Sequence, residues 1–305
     1  MSMELHEANG VSVKKGKARG PKNWIIAMDG PAGVGKSTVG QLVAKKLGYH
    51  FINTGEMYRA LTWKAIQEGV ELTDGDALTR LAEGVKWEFK PTEGGTTLKT
   101  FIDGEGVTLQ IRDEKVSKNS SLVAGVPGVR KHLRQLQRDL GEAGAIVMEG
   151  RDITTNVFPD ADFKIYLDAD IEERAERRYR QLRSSGKEAR PNEILDAMIA
   201  RDRQDLERKI NPLRQAEDAL VIDSTHLSLH EVAEKILERV KERKRRGRRT
   251  RKCSHLRLAS SRPRSRSTQL PASCSRASTA TPTGERCARS ARCRPTKSIA
   301  WSSAG

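Results

Sequence analysis

The stretch Gly30-Pro31-Ala32-Gly33-Val34-Gly35-Lys36-Ser37-Thr38 fits the pattern G-x-x-x-x-G-K-[ST] of a phosphate-binding loop. Its glycines allow the positive φ angles that turn backbone N–H groups inward around an anion. An apolar run at residues 23–28 predicts a buried strand before the loop, and apolar residues at helical spacing continue after it as far as Gly48. The stretch therefore predicts a nucleotide-phosphate site at the N-terminus of a helix, whose dipole favours an anion.

Two side chains of this loop carry the expected chemistry. Lys36 is expected to reach the β- and γ-phosphates of ATP, and the hydroxyl of Ser37 is expected to ligate Mg²⁺. All nine residues from Gly30 to Thr38 are therefore candidate ATP-binding residues.

Strand and helix patterns alternate from residue 24 to residue 240. Further apolar runs predict strands at residues 49–52, 145–148, 163–168 and 219–223. A final helix is predicted from about Leu229 to Val240. Such alternation is typical of a doubly wound α/β fold with a parallel sheet, here of about five strands. Polar residues at 149–152 directly follow one predicted strand, at the edge where open α/β sheets bind ligands.

Residues 74–112 have a different pattern. Three segments, 85–89, 96–102 and 107–111, alternate apolar and polar side chains and are separated by glycine-containing turns. They predict a small antiparallel sheet inserted into the α/β fold. In the helix predicted after it, over residues 126–140, Arg130, Arg134 and Arg138 recur every four residues and share one basic face. A solvent-exposed face is the simplest interpretation of that repeat.

A highly charged segment between the last two predicted strands forms two helical patterns separated by residues 184–187. Arg174, Arg177 and Arg178 share one helix face, and Arg201, Asp205 and Arg208 share a face of the second helix. Two interpretations fit: a lid that closes over phosphates, or surface helices joined by salt bridges, because glutamates are interleaved with the arginines.

The net charge of +16 is concentrated at the C-terminus of the chain. Residues 241–305 contain 19 basic and two acidic residues and all four cysteines, so that residues 1–240 are close to neutral. The absence of cysteine from that body favours a reducing compartment, and neither a signal peptide nor an apolar run near 20 residues is evident. We therefore expect a cytoplasmic protein without a membrane anchor, and a monomer, because no apolar surface patch is evident.

Several arginines beyond the loop distinguish this chain from other phosphate-loop proteins. GTPases carry an Asn-Lys-x-Asp element that does not occur here. Transfer of a γ-phosphoryl group to an anionic acceptor brings two highly charged groups together, so that charge neutralisation dominates catalysis. Scattered arginines therefore favour an acceptor that itself carries a phosphate.

Over residues 23–240 the sequence resembles the bacterial cytidylate kinases, a branch of the P-loop nucleoside monophosphate kinases. The resemblance is carried by five segments: residues 29–38, 53–59, 150–152, 157–161 and 221–225, together with the lid arginines. It implies a five-stranded parallel sheet flanked by helices, an antiparallel insertion in an acceptor-binding subdomain at about 56–118, and a helical lid at about 173–208. It also implies transfer of the γ-phosphoryl of ATP to CMP or dCMP, with Mg²⁺, in pyrimidine nucleotide metabolism.

The resemblance also assigns site residues. Those expected to be catalytic are Lys36, Arg151, Arg177 and Arg178. Those expected to bind the acceptor are Thr54, Arg59, Ser121, Arg130, Arg151, Asp152, Arg201, Asp205 and Arg208. Among them, Ser121, Arg130 and Asp152 match positions that read the cytosine edge. Cytosine presents a donor at N4 and acceptors at N3 and O2, so a carboxylate and a guanidinium can distinguish it from uracil.

The two ends of the chain fall outside the resemblance. Residues 1–22 predict a disordered basic arm, and residues 241–305, rich in Arg, Ser, Ala and Pro, predict a disordered tail. Three interpretations of the tail stay open: an appendage without a role, a segment that binds RNA or another polyanion, and the product of a reading-frame error. Two alternatives for the body also stay open. One is a kinase for UMP or AMP, and the other is a nucleic-acid-binding protein that uses the fold as a scaffold.

Overall fold

The computed structural model describes residues 23–92 and 95–260. The chain divides into two compact units, Met1–His255 and Leu256–Gly305. Apart from the last five residues of the final helix, every described helix and strand belongs to the first unit. The predicted arm at 1–22 and residues 261–305 of the predicted tail lie outside the described residues.

The element order alternates strands and helices as the sequence predicted. The strands are β1 (Ile25–Asp29), β2 (His50–Asn53), β3 (Trp87–Pro91), β4 (Leu98–Ile102), β5 (Glu105–Gly106), β6 (Ile146–Glu149), β7 (Phe163–Asp168) and β8 (Leu220–Asp223). The helices are α1 (Lys36–Leu47), α2 (Thr54–Gln67), α3 (Gly75–Gly84), α4 (Glu114–Gly125), α5 (Pro127–Gly141), α6 (Ile171–Ser184), α7 (Pro191–Glu207) and α8 (Leu229–Ser260). None of the helices within the described ranges is both long enough and apolar enough to cross a membrane.

Five strands form the main sheet in the order β2-β6-β1-β7-β8, and every neighbouring pair is parallel. The predicted doubly wound α/β fold is confirmed. All five residues of β1 are buried, as expected for a central strand covered on both faces. Strands β2 and β6 lie on one side of β1, and the later strands β7 and β8 lie on the other. Such a change of direction in the strand order creates a crevice beyond the carboxyl end of the central strand, here at the phosphate loop.

The antiparallel insertion is confirmed as a three-stranded sheet in the order β3-β4-β5, but the predicted strand at 107–111 is wrong. The third strand is β5, and the chain then turns into a 3₁₀-helix at Gln110–Arg112. Val107 and Ile111 are buried, whereas Leu109 between them is 77% exposed. Apolar residues four apart lie on one side of a helical turn, so the alternation that suggested a strand belongs to a turn.

The insertion has its own apolar core, to which α2, α3, α4 and α5 contribute together with the small sheet. This core runs from Met57 to Leu136 and includes the fully buried Trp87 and Leu133. It extends beyond residue 118, the predicted end of the acceptor-binding insertion. The domain boundaries themselves stay predictions.

The last helix is longer than the sequence predicted. It continues from Leu229 through Ser260, so residues 241–260, which were assigned to the tail, are helical. Arginine and lysine are good helix formers, so the abrupt gain of positive charge at residue 241 did not mark a helix end. Lys244 also contacts the body, with its ammonium 5.1 Å from the ring centre of Trp24 and 2.7 Å from the hydroxyl of Tyr49.

Candidate active site

The phosphate loop joins β1 to α1 in the conformation that its glycines predicted. Gly30, Gly33 and Gly35 have φ angles of 147°, 81° and 93°. A Cβ at Gly30 would lie 2.0 Å from the carbonyl oxygen of Leu167, so a side chain is excluded there by contact as well as by backbone angle. The loop is therefore held against β7 on one side and opens at the N-terminus of α1 on the other.

Lys36 is buried at the start of α1. Its ammonium donates hydrogen bonds to the carbonyl oxygens of Gly30 and Pro31, at 2.8 and 2.5 Å. Burial, with the positive charge of Arg151 as a second cause, lowers the pKa of Lys36 to about 7. A lysine in this state gains much from an anionic ligand, because the ligand would offset both causes.

Side chains at the carboxyl ends of β2 and β6 meet beside the loop. The hydroxyl of Ser37 donates to Oε1 of Glu149 at 2.5 Å, and the hydroxyl of Thr54 donates to the backbone oxygen of Glu149 at 2.8 Å. The other carboxylate oxygen of Glu149, Oε2, is buried and has no hydrogen-bond partner among the described residues. A carboxylate oxygen left in this way is suited to a cation or to an ordered water.

Asp29, for which the sequence predicted no separate role, connects the end of β1, just before the phosphate loop, to the segment after β6. Its carboxylate accepts hydrogen bonds from the backbone N–H groups of Ile153 and Thr154 and from the hydroxyl of Thr154, at 2.6–2.9 Å. Burial raises the pKa of Asp29 to about 6. The segment it holds forms a short π-helix over Ile153–Val157, a geometry often found at functional sites.

Several cationic side chains lie close enough to interact with one another or with the same carboxylate. Arg151 donates to Asp205 at 2.8 Å, and Arg208 lies 3.8 Å from the other oxygen of that carboxylate. Burial, followed by the charge of Arg151, lowers the pKa of Arg201 to about 10. Burial also lowers the pKa of Arg59, to which the nearby charge of Arg151 contributes. The structure thus brings together predicted residues from α2, α7 and the end of β6.

Arg130 and Asp152 form a second predicted pair, which is buried. The guanidinium of Arg130 donates to Oδ2 of Asp152 at 2.6 Å and to the backbone oxygen of Ala124 at 3.2 Å. It also lies over the ring of Tyr58, 5.7 Å from the ring centre. Ser121, the third residue predicted for this group, is half-buried on α4.

The predicted lid arginines lie in different environments. Arg177 donates to the backbone oxygens of Ser224 and Thr225 after β8. Arg178 is exposed and bonds Gln181 on its own helix. Arg174, to which the family resemblance assigned no site role, donates to the backbone oxygen of Ala32 in the phosphate loop at 3.1 Å and to Asp202 of α7 at 2.5 Å.

Comparison with known proteins agrees with this arrangement. The family model described as cytidylate kinase matches residues 26–242. The chain belongs to the cytidylate kinase family. Membership in the cytidylate kinase family confirms the activity expected from the sequence, ATP-dependent phosphorylation of CMP or dCMP by a phosphotransferase.

Two relatives from the cytidylate kinase family match over almost their whole length, and a longer, bifunctional one matches over part of its length. The cytidylate kinase of Bacillus subtilis (strain 168) is 46% identical over 224 residues, covering 73% of this chain and 99% of the relative. The cytidylate kinase of Ligilactobacillus salivarius (strain UCC118) is 47% identical over 223 residues, covering 73% and 98%. A bifunctional pantoate ligase/cytidylate kinase of Synechococcus sp. (strain JA-2-3B'a(2-13)) is 46% identical over 218 residues, covering 71% of this chain and 40% of the relative.

Proposed function

We propose that the crevice at the carboxyl edge of the parallel sheet is where the chain transfers the γ-phosphoryl group of ATP to CMP or dCMP. One observation supports this placement above the others. Lys36, Arg59 and Arg201 are all largely buried and all lie close enough to Arg151 for its charge to lower their pKa. A cluster of positive charges is unfavourable by itself, and bound phosphates would stabilise it. We assign these phosphates to ATP and to CMP or dCMP.

On the donor side, residues Gly30 to Thr38 would bind the phosphates of ATP. Ser37 and Glu149 fit a Mg²⁺ ion, because a hydroxyl and a carboxylate with a free buried oxygen are the hard oxygen ligands that this ion prefers. When bound, Mg²⁺ would neutralise charge on the phosphate oxygens. Lys36 would place its ammonium beside the β- and γ-phosphates in place of its present carbonyl partners.

On the acceptor side, the arginines would hold the CMP phosphate in line with the donor. Arg59, Arg151 and Arg208 are proposed for this contact, with Arg201 beside them. Asp205, already held by Arg151, would accept from sugar hydroxyls. The acceptor phosphate is ionised at neutral pH, so no general base is needed, and the protein acts by alignment and charge neutralisation.

Recognition of the base would involve Asp152 and Arg130 with Ser121, while Thr54 would border the acceptor. A carboxylate can only accept hydrogen bonds, so Asp152 favours the amino group of cytosine and disfavours the carbonyl oxygen at the same position of uracil. Arg177 and Arg178 would approach the transferred phosphoryl group from the lid, together with closure of α6 and α7.

Acceptor choice tests this proposal. ADP formation measured with CMP, dCMP, UMP, AMP and GMP offered separately should be fastest with CMP and dCMP. The Asp152→Asn variant should lose about 30-fold in kcat/KM for CMP, because its amide no longer favours the donor at N4, while UMP use changes little. The exposed Asp160→Asn variant is the matched control. An unchanged ratio of CMP to UMP use in Asp152→Asn would favour another monophosphate as the acceptor.

ATP binding should weaken as the pH rises above 7. The pKa of Lys36 is about 7 in the free protein, and the phosphates of ATP raise it, so that binding takes up a proton. Affinity is then full below pH 7 and falls by up to about tenfold per pH unit above it, until the pKa of the complex is reached. Calorimetric titration with ATP at pH 6.5, 7.5 and 8.5 measures this slope. The Lys36→Met variant should bind weakly and without the slope; an equal slope in the variant would assign it to another group.

We further propose that the protein acts as a cytoplasmic monomer. Any contact with nucleic acid is expected only through the basic residues from 241 onward, since residues 1–240 are near neutral.

A further inference from the structure

The arginine repeat of α5 does not face solvent as its sequence pattern suggested. Arg138 donates to the backbone oxygens of Asn156 and Val157, at 2.8 and 3.0 Å. Arg134 donates to the side-chain oxygen of Asn156 at 3.1 Å, and Arg130 donates to Asp152 at 2.6 Å. All three arginines therefore contact one short segment, 152–157, in which the proposed base-reading Asp152 lies.

Asn156 is the centre of these contacts. Its Oδ1 accepts from Arg134, which can only donate, so the amide is oriented with its Nδ2 toward Asp152. That Nδ2 donates to Oδ2 of Asp152 at 3.0 Å. The same oxygen also accepts from Arg130. Two donors from the protein thus converge on one oxygen of the Asp152 carboxylate.

Within the described part of the chain, the other oxygen of the Asp152 carboxylate, Oδ1, is left free by this arrangement. No hydrogen bond from the described residues reaches Oδ1 of Asp152, although the residue is 7% exposed. With Oδ2 held by two donors, the carboxylate is fixed in rotation, and Oδ1 has a defined direction. A fixed acceptor discriminates between a donor and an acceptor on a ligand better than one that can turn to find other partners.

We propose that Asn156, oriented by Arg134, is a positioning residue that sets the preference for cytosine over uracil by holding Asp152 with one oxygen free for the base. Asn156 does not itself contact the nucleotide. The inference rests on the proposed base-reading role of Asp152. It assigns a role to the α5 arginine face that the sequence pattern alone did not suggest.

The test compares four variants of the full chain in the ADP-formation assay, each with CMP and with UMP. Asn156→Leu keeps the size of the side chain and removes both hydrogen bonds, and Arg134→Gln removes the group that orients the amide. Both should lower the ratio of kcat/KM for CMP to that for UMP about tenfold, chiefly through a higher KM for CMP. Gln135→Leu is the matched control and should leave the ratio unchanged, because Gln135 is exposed on the same helix and, among the described residues, its amide bonds only Asp139. Asp152→Asn is the reference.

The outcomes separate this inference from the proposal on which it rests. If Asp152→Asn changes the ratio while Asn156→Leu and Arg134→Gln do not, Asn156 has no positioning role and the inference is overturned. If Asp152→Asn leaves the ratio unchanged, the base-reading assignment itself fails. A merely structural role of Asn156 would lower activity with CMP and UMP equally and lower the melting temperature, so an unchanged ratio at reduced activity also overturns the inference. Should Asn156→Leu fail to fold, the half-buried Arg134→Gln still gives the ratio.

Discussion

Replacement of Lys36 by methionine should lower kcat about a thousandfold, the loss expected when a preorganised charge on a developing anion is removed. Methionine keeps most of the length of the side chain and removes the ammonium that now donates to Gly30 and Pro31. The effect should lie in kcat more than in the KM for CMP, because Lys36 lies on the donor side of the crevice.

Steady-state ADP formation at saturating ATP and CMP measures this loss. The control is Lys45→Met, which removes an exposed ammonium from the same helix, α1, and should change kcat less than twofold. Circular dichroism at the assay temperature checks that both variants are folded. If Lys36→Met keeps kcat within tenfold of the parent protein, the assignment of the loop lysine to the transferred phosphates is wrong.

Loss of Arg151 should be at least as severe, with kcat/KM for CMP reduced about 10³- to 10⁴-fold in Arg151→Met. Arg151 bonds Asp205 at 2.8 Å and is the cation whose charge reaches Lys36, Arg59 and Arg201. Its removal therefore takes away a proposed phosphate contact and also leaves Asp205 with only the more distant of its two cationic neighbours, Arg208, among the described residues. Both the position of the acceptor and the charge opposite the transferred group are affected.

The same variant has a second signature, in the pH dependence of ATP binding. Arg151 lowers the pKa of Lys36, so its removal should raise that pKa and move the loss of ATP affinity from pH 7 to higher pH. Arg203→Met is the control, because the side chain of Arg203 is 76% exposed on α7 and its ion pair is with Glu207 on the same helix. An Arg151→Met enzyme with weak CMP use but an unshifted pH dependence would show that the two residues are not electrostatically linked.

Much of the fold could be predicted because its signals are local. The phosphate loop consists of consecutive residues, Gly30 to Thr38, so its motif can be recognised directly. The five strands of the parallel sheet are apolar runs that are each long enough to identify. The third strand of the insertion failed because Val107, Leu109 and Ile111 alternate like a strand, while only the pair four apart is buried. Whether a five-residue segment forms a strand or a helical turn depends on the residues that pack against it, and these come from other parts of the chain.

The site residues could be predicted where the loop motif or the family resemblance supplied them. Resemblance supplied Arg130 and Asp152, which the structure places in direct contact, but no local pattern showed that Asp29 reaches the backbone of Ile153 and Thr154. The arginine repeat of α5 suggested a solvated face because sequence spacing shows which residues share a face and not what that face meets. Asn156 gave no signal at all, since its role depends on partners from α5.

The central position of β1 has a consequence for the order of folding during synthesis. Ile25 pairs with Ile146 and Ile26 with Phe163, so β1, the first of the described strands to be synthesised, has no neighbouring strand in the sheet until more than 100 further residues have followed. Contacts so distant along the chain close slowly. Until β6 and β7 arrive, the apolar strand that carries the phosphate loop has no partner strand and is prone to aggregation. The strand on which ATP binding depends is therefore the one that waits longest for its partners.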